Sequence, residues 1–253
     1  MKVVIPAAGA GTRMLHLTNN KPKPLIKVQK KPFLAYLLDN VFKAGYKDII
    51  LVVGYKGDLV KEFLKEYEKD NKCEGRIKIV CQFDILGPKE KIYGTACPLM
   101  CVKDIIGKEP FLSVSGDNLY SVTDLKGMNN NDQYNYVAGM FHKNPEKYGV
   151  LVEEGGFLKE IKEKPEEFYG NIVSSGLYKF TPEIFEKLGE IKKSSRGEYE
   201  ITDAIILLAK EKKVKVYQLK DYWFDFGNPA DIMKLSRFFK NLKNGNSGNK
   251  KSD

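Results

Sequence analysis

The chain has 253 residues, 42 Lys+Arg against 33 Asp+Glu, a formal charge of +9, and 42% hydrophobic and 30% charged residues. This length allows one large α/β domain or two small ones, with a core that hides roughly three quarters of the unfolded surface. The composition excludes fibrous, collagen-like and wholly disordered chains.

The charge is unevenly placed. Residues 1–38 hold seven basic residues and no acid, residues 232–253 hold six against one acid, and the body between is slightly acidic. A protein that coats nucleic acid more often spreads a basic face over its fold, so no nucleic-acid partner is expected. No run approaches ~18 apolar residues, which predicts no membrane span. Met1–Pro6 turns into a glycine loop too soon for a signal peptide, so a cytoplasmic location is expected. Cys73, Cys81, Cys97 and Cys101 have no CxxC spacing, and with His16 and His142 the only histidines they predict reduced thiols rather than a zinc site. The i, i+4 spacing of Cys97 and Cys101 places both on one helix face.

Along the chain, apolar runs alternate with helical patterns. Strands are expected at 3–5, 48–53, 76–81 and 111–115. Between them the apolar spacing predicts helices at 33–44, closed by Gly45, at 58–67 and at 95–103. That order implies βαβ units and a mostly parallel sheet. The second half is richer in strands. Pieces at 136–141, 148–153 and 157–162 read as antiparallel, the last two joined across Glu154-Gly155-Gly156. A strand at 173–180, helices at 182–188 and 201–211, a strand at 214–218 and a helix at 229–240 follow. No linker divides residues 1–240, so one domain is expected, with halves at about 1–120 and 121–240. The tail 241–253 has no apolar residue after Leu242 and is expected to be a flexible basic extension.

Ala7-Ala8-Gly9-Ala10-Gly11-Thr12-Arg13 follows the first strand. Glycines let backbone N–H groups approach an anion. The loop lacks the Walker GxxxxGK[ST] pattern. It also lacks the third glycine and the strand-two acid of a dinucleotide loop, which disfavours a dehydrogenase. A triphosphate loop with Arg13 as bidentate ligand remains, because only four of the 42 basic residues are arginines. Lys23 lies between Pro22 and Pro24, whose rings fix the backbone and prevent a helix. Asp117 ends the fourth strand in Gly116-Asp117-Asn118, and Asp225 sits among aromatics in Trp223-Phe224-Asp225-Phe226-Gly227-Asn228-Pro229. Hard oxygen ligands suit Mg²⁺, although two separate aspartates do not by themselves define a metal site.

Gly9-Ala10-Gly11-Thr12-Arg13, Thr18 and Pro22-Lys23-Pro24-Leu25 resemble the head of the sugar-1-phosphate nucleotidylyltransferases, which include glucose-1-phosphate thymidylyl- and uridylyltransferases. Pro6 and His16 depart from the usual pattern at positions that are not phosphate ligands. Further matching segments are Tyr148-Gly149-Val150, Glu163-Lys164-Pro165 and Arg196 through Asp203 (RGEYEITD). The resemblance implies a Rossmann-like three-layer α/β fold, with antiparallel strands in the sugar-binding half. It implies Arg13 and Lys23 as catalytic residues. Ala8, Gly9, Gly11, Thr12, Gln82 and Gly94 are implied in nucleotide binding, and Asp117 and Asp225 as Mg²⁺ ligands. Gly149, Glu163, Lys164 and Arg196 would take the sugar phosphate. The family often reads the pyrimidine with a Gln just before a GxA turn. Here that turn is Gly94-Thr95-Ala96, and Gln82 is twelve residues back, with Phe83–Tyr93 between them like an insertion. Ser174 stands where the pattern often has Asn.

The implied reaction joins UTP or dTTP to a sugar 1-phosphate, glucose 1-phosphate foremost, giving a nucleotide sugar and pyrophosphate. A guanylyltransferase acting on mannose 1-phosphate and a non-catalytic nucleotide-sugar regulator are the alternatives. Retention of Arg13, Lys23 and both aspartates disfavours the regulator. Nothing after Pro229 shows hexapeptide repeats, so no appended acetyltransferase activity is expected. Family members often self-associate, which adds a homo-oligomer to the implied partners.

Overall fold

The computed structural model describes residues 1–9, 11–88 and 92–243. Its strands are β1 (Lys2–Ala7), β2 (Lys27–Val28), β3 (Lys31–Pro32), β4 (Ile49–Val53), β5 (Ile77–Cys81), β6 (Phe111–Val114) and β7 (Asn118–Tyr120) in the first half. The second half holds β8 (Asn135–Phe141), β9 (Gly149–Glu154), β10 (Phe157–Glu163), β11 (Ile172–Phe180), β12 (Val214–Gln218) and β13 (Trp223–Asp225).

β5, β4, β1 and β6 run parallel side by side. β11 joins β6 antiparallel, β8 joins β11 antiparallel, and β12 lies parallel to β8. The β9–β10 hairpin attaches to β11 through Val173 and Val150. Thus a mostly parallel core continues without a break into a mixed sheet. The strand at 136–141, expected to be antiparallel, is antiparallel to β11 but parallel to β12.

The central strands read as continuous apolar runs because both faces are covered. Along β4, Ile49, Leu51 and Val53 enter one hydrophobic cluster with Leu34, Leu37, Leu38 and Val41 of the helix Phe33–Lys43. Ile50 and Val52 enter the other, with Ala204, Ile205 and Leu208 of the helix Ile201–Lys210. The two helix layers and the sheet make the Rossmann-like three-layer arrangement. Each fully buried Val, Leu or Ile contributes roughly 1.5–3 kcal/mol.

One expectation changes in detail. The helix expected over 95–103 is two short helices, Cys97–Met100 and Lys103–Ile106. Residues 94–96 are drawn instead into pairing with the segment before the helix Ile201–Lys210: Ala96 N donates to Tyr199 O at 3.0 Å and Ile201 N to Thr95 Oγ1 at 2.9 Å. Pro98 then marks the first helical turn. Cys97 and Cys101 are both buried, with Cys101 Sγ 3.3 Å from the Cys97 carbonyl. The expected flexible tail lies, from residue 244 onward, outside the described residues.

β7 and β13 form a separate antiparallel pair. Asp124, fully buried, ties the chain after β7 to the chain before β13. Its carboxylate accepts from Lys220 N at 2.9 Å, Asp221 N at 3.1 Å and Ser121 Oγ at 2.9 Å. Removing it leaves the buried Ser121 hydroxyl and two part-buried backbone N–H groups without that partner, at about 1–3 kcal/mol for a buried group. Asp124→Ala is expected to lower the unfolding free energy by about 2–4 kcal/mol in urea titration. A midpoint equal to the parent's contradicts this role.

Candidate active site

β1 and β6 are parallel neighbours, so Ala7-Ala8-Gly9 and Ser115-Gly116-Asp117 leave the same sheet edge at the carboxyl ends of the strands. This is where open α/β sheets hold ligands. The Gly116 N–H donates to Pro6 O at 3.0 Å and draws the two loops together. Between them opens a cleft of about 360 Å³.

The glycine loop and the proline-bounded lysine are one packed unit. Gly11 has φ +66°, and a Cβ there would lie 2.8 Å from Lys23 Cβ, so only glycine lets the lysine stem cross the loop. Thr18 Oγ1 donates to the Leu15 carbonyl at 3.1 Å. The prolines exclude an α-helix around Lys23, as expected, and leave a single 3₁₀ turn, Lys23–Leu25. Lys23 is buried, and its Nζ reaches Asp117 Oδ2 at 2.9 Å. The side chain of Thr12 and the whole of Ala10 lie outside the described residues.

Asp225 pairs in register with Asn118, and Phe226 N donates to Asp117 O at 2.8 Å, so the two aspartates end neighbouring strands. Asp231 fixes the turn beyond: its Oδ2 accepts from Gly227 N and Asn228 N, both at 2.9 Å. Burial first, and then the Asp117 charge, push the Asp225 carboxyl up to about 6, against the pull of Lys23 and Arg13.

The cleft brings together Ala8, Gly9, Gly11, Arg13, Lys23, Gln82, Gly94 and Asp117 of the residues singled out from sequence. Gln82 is 1% exposed, and its Oε1 is the one buried side-chain polar atom among the described residues with no hydrogen-bond partner. Such an acceptor is costly unless a ligand satisfies it. At Gly94 a Cβ would overlap the Tyr199 backbone, so the turn is locked against the segment leading to Glu200.

Asp225, Gly149, Glu163, Lys164 and Arg196 stand outside the cleft lining, Asp225 beside its neighbour Gly227, which does line it. Gly149 faces Glu163 across the β9–β10 pair. Lys164 N donates to Tyr148 O at 2.9 Å. Tyr178 links this wall to the cleft: it lines the cavity, and burial foremost, with the Glu163 charge adding, raises its hydroxyl. Arg196 is half-exposed and paired with the buried Glu200 at 2.8 Å. Glu200 also accepts from Thr95 Oγ1 at 2.9 Å.

Ser115, Gly116, Tyr178, Glu198 and Gly227 also line the cleft and were not singled out. Gly116, Glu198 and Gly227 fall inside the GDN, RGEYEITD and WFDFGNP segments. Tyr178 gave no signal, because a tyrosine in an apolar strand reads as core.

The donor set fits a hard divalent cation. Among the described residues no group of three His, Cys, Asp or Glu could enclose a metal. Two adjacent carboxylates, one of them reluctant to ionise, match Mg²⁺, which takes one or two carboxylates and completes its shell with phosphate oxygens and water.

Fold and cleft together define an α/β phosphate-handling protein. A family model described as nucleotidyl transferase matches residues 2–241, and the chain belongs to that family. It is 35% identical over 240 residues to the bifunctional protein GlmU of Methanocaldococcus jannaschii, covering 94% of this chain and 54% of that protein. It is 31% identical over 243 residues to the low-salt glycan biosynthesis nucleotidyltransferase Agl11 of Haloferax volcanii, covering 94% of this chain and 65% of the other. The chain thus spans roughly half to two thirds of these curated relatives. A UDP-glucose pyrophosphorylase solved with UDP-glucose superposes with a TM-score of 0.81 at 27% identity, covering 95% of this chain and 98% of that one. Among the described residues no helix is long and apolar enough to cross a membrane.

The raised Asp225 has a consequence for stability. Its folded value of about 6 exceeds the ordinary 3.8, so the fold favours the protonated acid. That contribution is complete below about pH 4 and is lost as pH rises through 6. Asp225→Asn escapes the loss. Its stability relative to the parent is expected to rise between pH 4 and pH 7.5, by up to about 3 kcal/mol. Thermal unfolding at the two pH values checks this, and a pH-independent difference contradicts it.

Proposed function

We propose that the chain transfers a nucleotidyl group from UTP or dTTP to a sugar 1-phosphate, glucose 1-phosphate foremost, releasing pyrophosphate. The observation that carries the reading is the Lys23–Asp117 ion pair, set under a glycine loop beside Arg13 and Asp225. Cations for phosphates and carboxylates for a metal meet there at one sheet edge.

In this reading an oxygen of the sugar phosphate attacks the α-phosphorus. A new P–O bond forms, and the bond to the β-phosphate bridging oxygen breaks with its electron pair leaving on pyrophosphate. The phosphate is already a competent nucleophile, so the residues work by alignment and charge neutralisation. The glycine-loop backbone and Arg13 hold the triphosphate, and Lys23 stabilises charge that builds at the α-phosphate. To do so Lys23 shares its ammonium between Asp117 and the nucleotide. Asp117 and Asp225 would hold Mg²⁺, which when bound supplies Lewis-acid charge to the phosphate oxygens.

Gln82 Oε1 offers an acceptor to a base N–H. That suits the N3–H of uracil or thymine, whereas cytosine and adenine, whose corresponding ring nitrogen is an acceptor, could meet it only through their exocyclic amino groups. Gly149 and Glu163 receive the sugar, and Lys164 and Arg196 its phosphate, with Arg196 exchanging Glu200 for substrate. Residues 1–240 act as one unit in this scheme, nucleotide to about residue 120 and sugar beyond. The UDP-glucose in the structural neighbour supports a uridine nucleotide and glucose.

The test is pyrophosphate release with Mg²⁺ from UTP, dTTP, GTP, CTP and ATP. Each is paired with glucose, N-acetylglucosamine or mannose 1-phosphate. Release is expected with UTP or dTTP, and Arg13→Ala is expected to lose ~10²–10³ in kcat/KM. No release with any pair favours the regulatory reading, and GTP with mannose 1-phosphate alone favours a guanylyltransferase.

A further inference from the structure

Trp223 is the chain's only tryptophan and is 9% exposed. Its indole Nε1 donates to Asn118 Oδ1 at 2.9 Å. That bond decides which end of the Asn118 amide faces Asp117. With Oδ1 taken by the indole, Nδ2 turns to Asp117 and donates to its Oδ1 at 3.0 Å. An amide turned the other way would set oxygen against carboxylate and N–H against N–H, since indole donates only and carboxylate accepts only. The second carboxylate oxygen, Oδ2, accepts from Lys23. The plane of Asp117 is therefore set from one side by Lys23 and from the other by Trp223 through Asn118.

Trp223 and Asp225 lie two residues apart on β13, so their side chains leave the same face. Asp225 is also the register partner of Asn118. One three-residue strand thus delivers one carboxylate directly and the orientation of the other through a neighbour's amide.

We propose that Trp223 is a positioning residue for divalent-cation capture by Asp117, acting through Asn118, and that its indole fluorescence reports occupancy of that carboxylate. The proposal rests on the reading of Asp117 and Asp225 as metal ligands. Loss of such an outer partner weakens metal binding about 10–100-fold, and a two-step relay through a neutral amide belongs at the low end.

The test is Mn²⁺ titration of the full chain, with free Mn²⁺ read by electron paramagnetic resonance. Parent, Trp223→Phe, Asn118→Ala and the double variant are compared. Phe keeps an aromatic ring against Tyr148, which meets Trp223 edge-on at 5.8 Å, and lacks the N–H. Each single variant is expected to weaken Mn²⁺ binding about tenfold. The double variant is expected to be no weaker than Asn118→Ala, because both changes break one relay. Parent tryptophan fluorescence should change with the same midpoint as Mn²⁺ binding. Additive losses, or Trp223→Phe binding like the parent, overturn the proposal and leave the metal reading intact. Asn118→Ala binding like the parent overturns it however Trp223→Phe folds. A parent that binds no Mn²⁺ overturns the metal reading and the proposal together.

Discussion

Two carboxylates held at neighbouring strand ends, in and beside a partly desolvated cleft, cannot both ionise without penalty unless cations stand beside them. Asp117 and Asp225 are in that position, and the charge of Asp117 is part of what lifts Asp225 to about 6. Lys23 answers Asp117 directly at 2.9 Å, and Arg13 and Lys23 both pull Asp225 back down. The cleft is therefore a balanced set of charges, and on the proposed function that balance would shift when polyanion and divalent cation enter as a pair. A triphosphate alone would meet the carboxylates, and a metal alone would compete with Lys23. The basic excess of residues 1–38 has a local meaning on this account: Arg13 and Lys23 act by position, and the other lysines add to the field that draws an anion in.

The scaffold makes this arrangement rigid mainly through backbone. Gly11 lets Lys23 cross the loop, and the Gly116 N–H to Pro6 carbonyl bond joins the β1 and β6 ends. The β7–β13 pair would be marginal alone. It is held because buried Asp124 clamps the chain around it, and Asp231 caps the turn that follows. The segment holding Arg196 is coupled to the Gly94 turn by the Thr95–Glu200–Arg196 chain of contacts. Position 94 and position 196 are thus linked through one buried carboxylate.

Much of this was legible in the residues. A continuous, β-branched apolar run as short as Ile49–Val53 reads as a strand covered on both faces, and Gly45 closes its helix where the pattern stops. The loop from Gly9 to Arg13, Lys23 between prolines, and Asp117 at a strand end are local motifs, and the cleft gathers them. What stayed hidden depends on contacts distant in sequence. β7 and β13 are three residues each, too short for any period, and exist because they pair across about a hundred residues. The late start of the helix expected at 95–103 comes from the pairing of residues 95 and 96 with residues 199–201. The resemblance implies Arg196 as a phosphate ligand, and only the fold shows it resting on Glu200. Likewise the unpartnered Oε1 of Gln82 cannot be seen from its distance to Gly94 in sequence.

The charge-balance account is tested most directly by calorimetric binding of UTP, or dTTP if that is the nucleotide bound, with and without Mg²⁺. The parent is compared with the Asp117→Asn, Asp225→Asn double variant. The account predicts that Mg²⁺ tightens nucleotide binding to the parent at least about tenfold. The double variant should bind metal-free nucleotide more tightly than the parent, since carboxylate repulsion is gone, and should gain little from Mg²⁺. Equal metal-free binding by the two proteins, or an undiminished response to Mg²⁺ in the double variant, would contradict it.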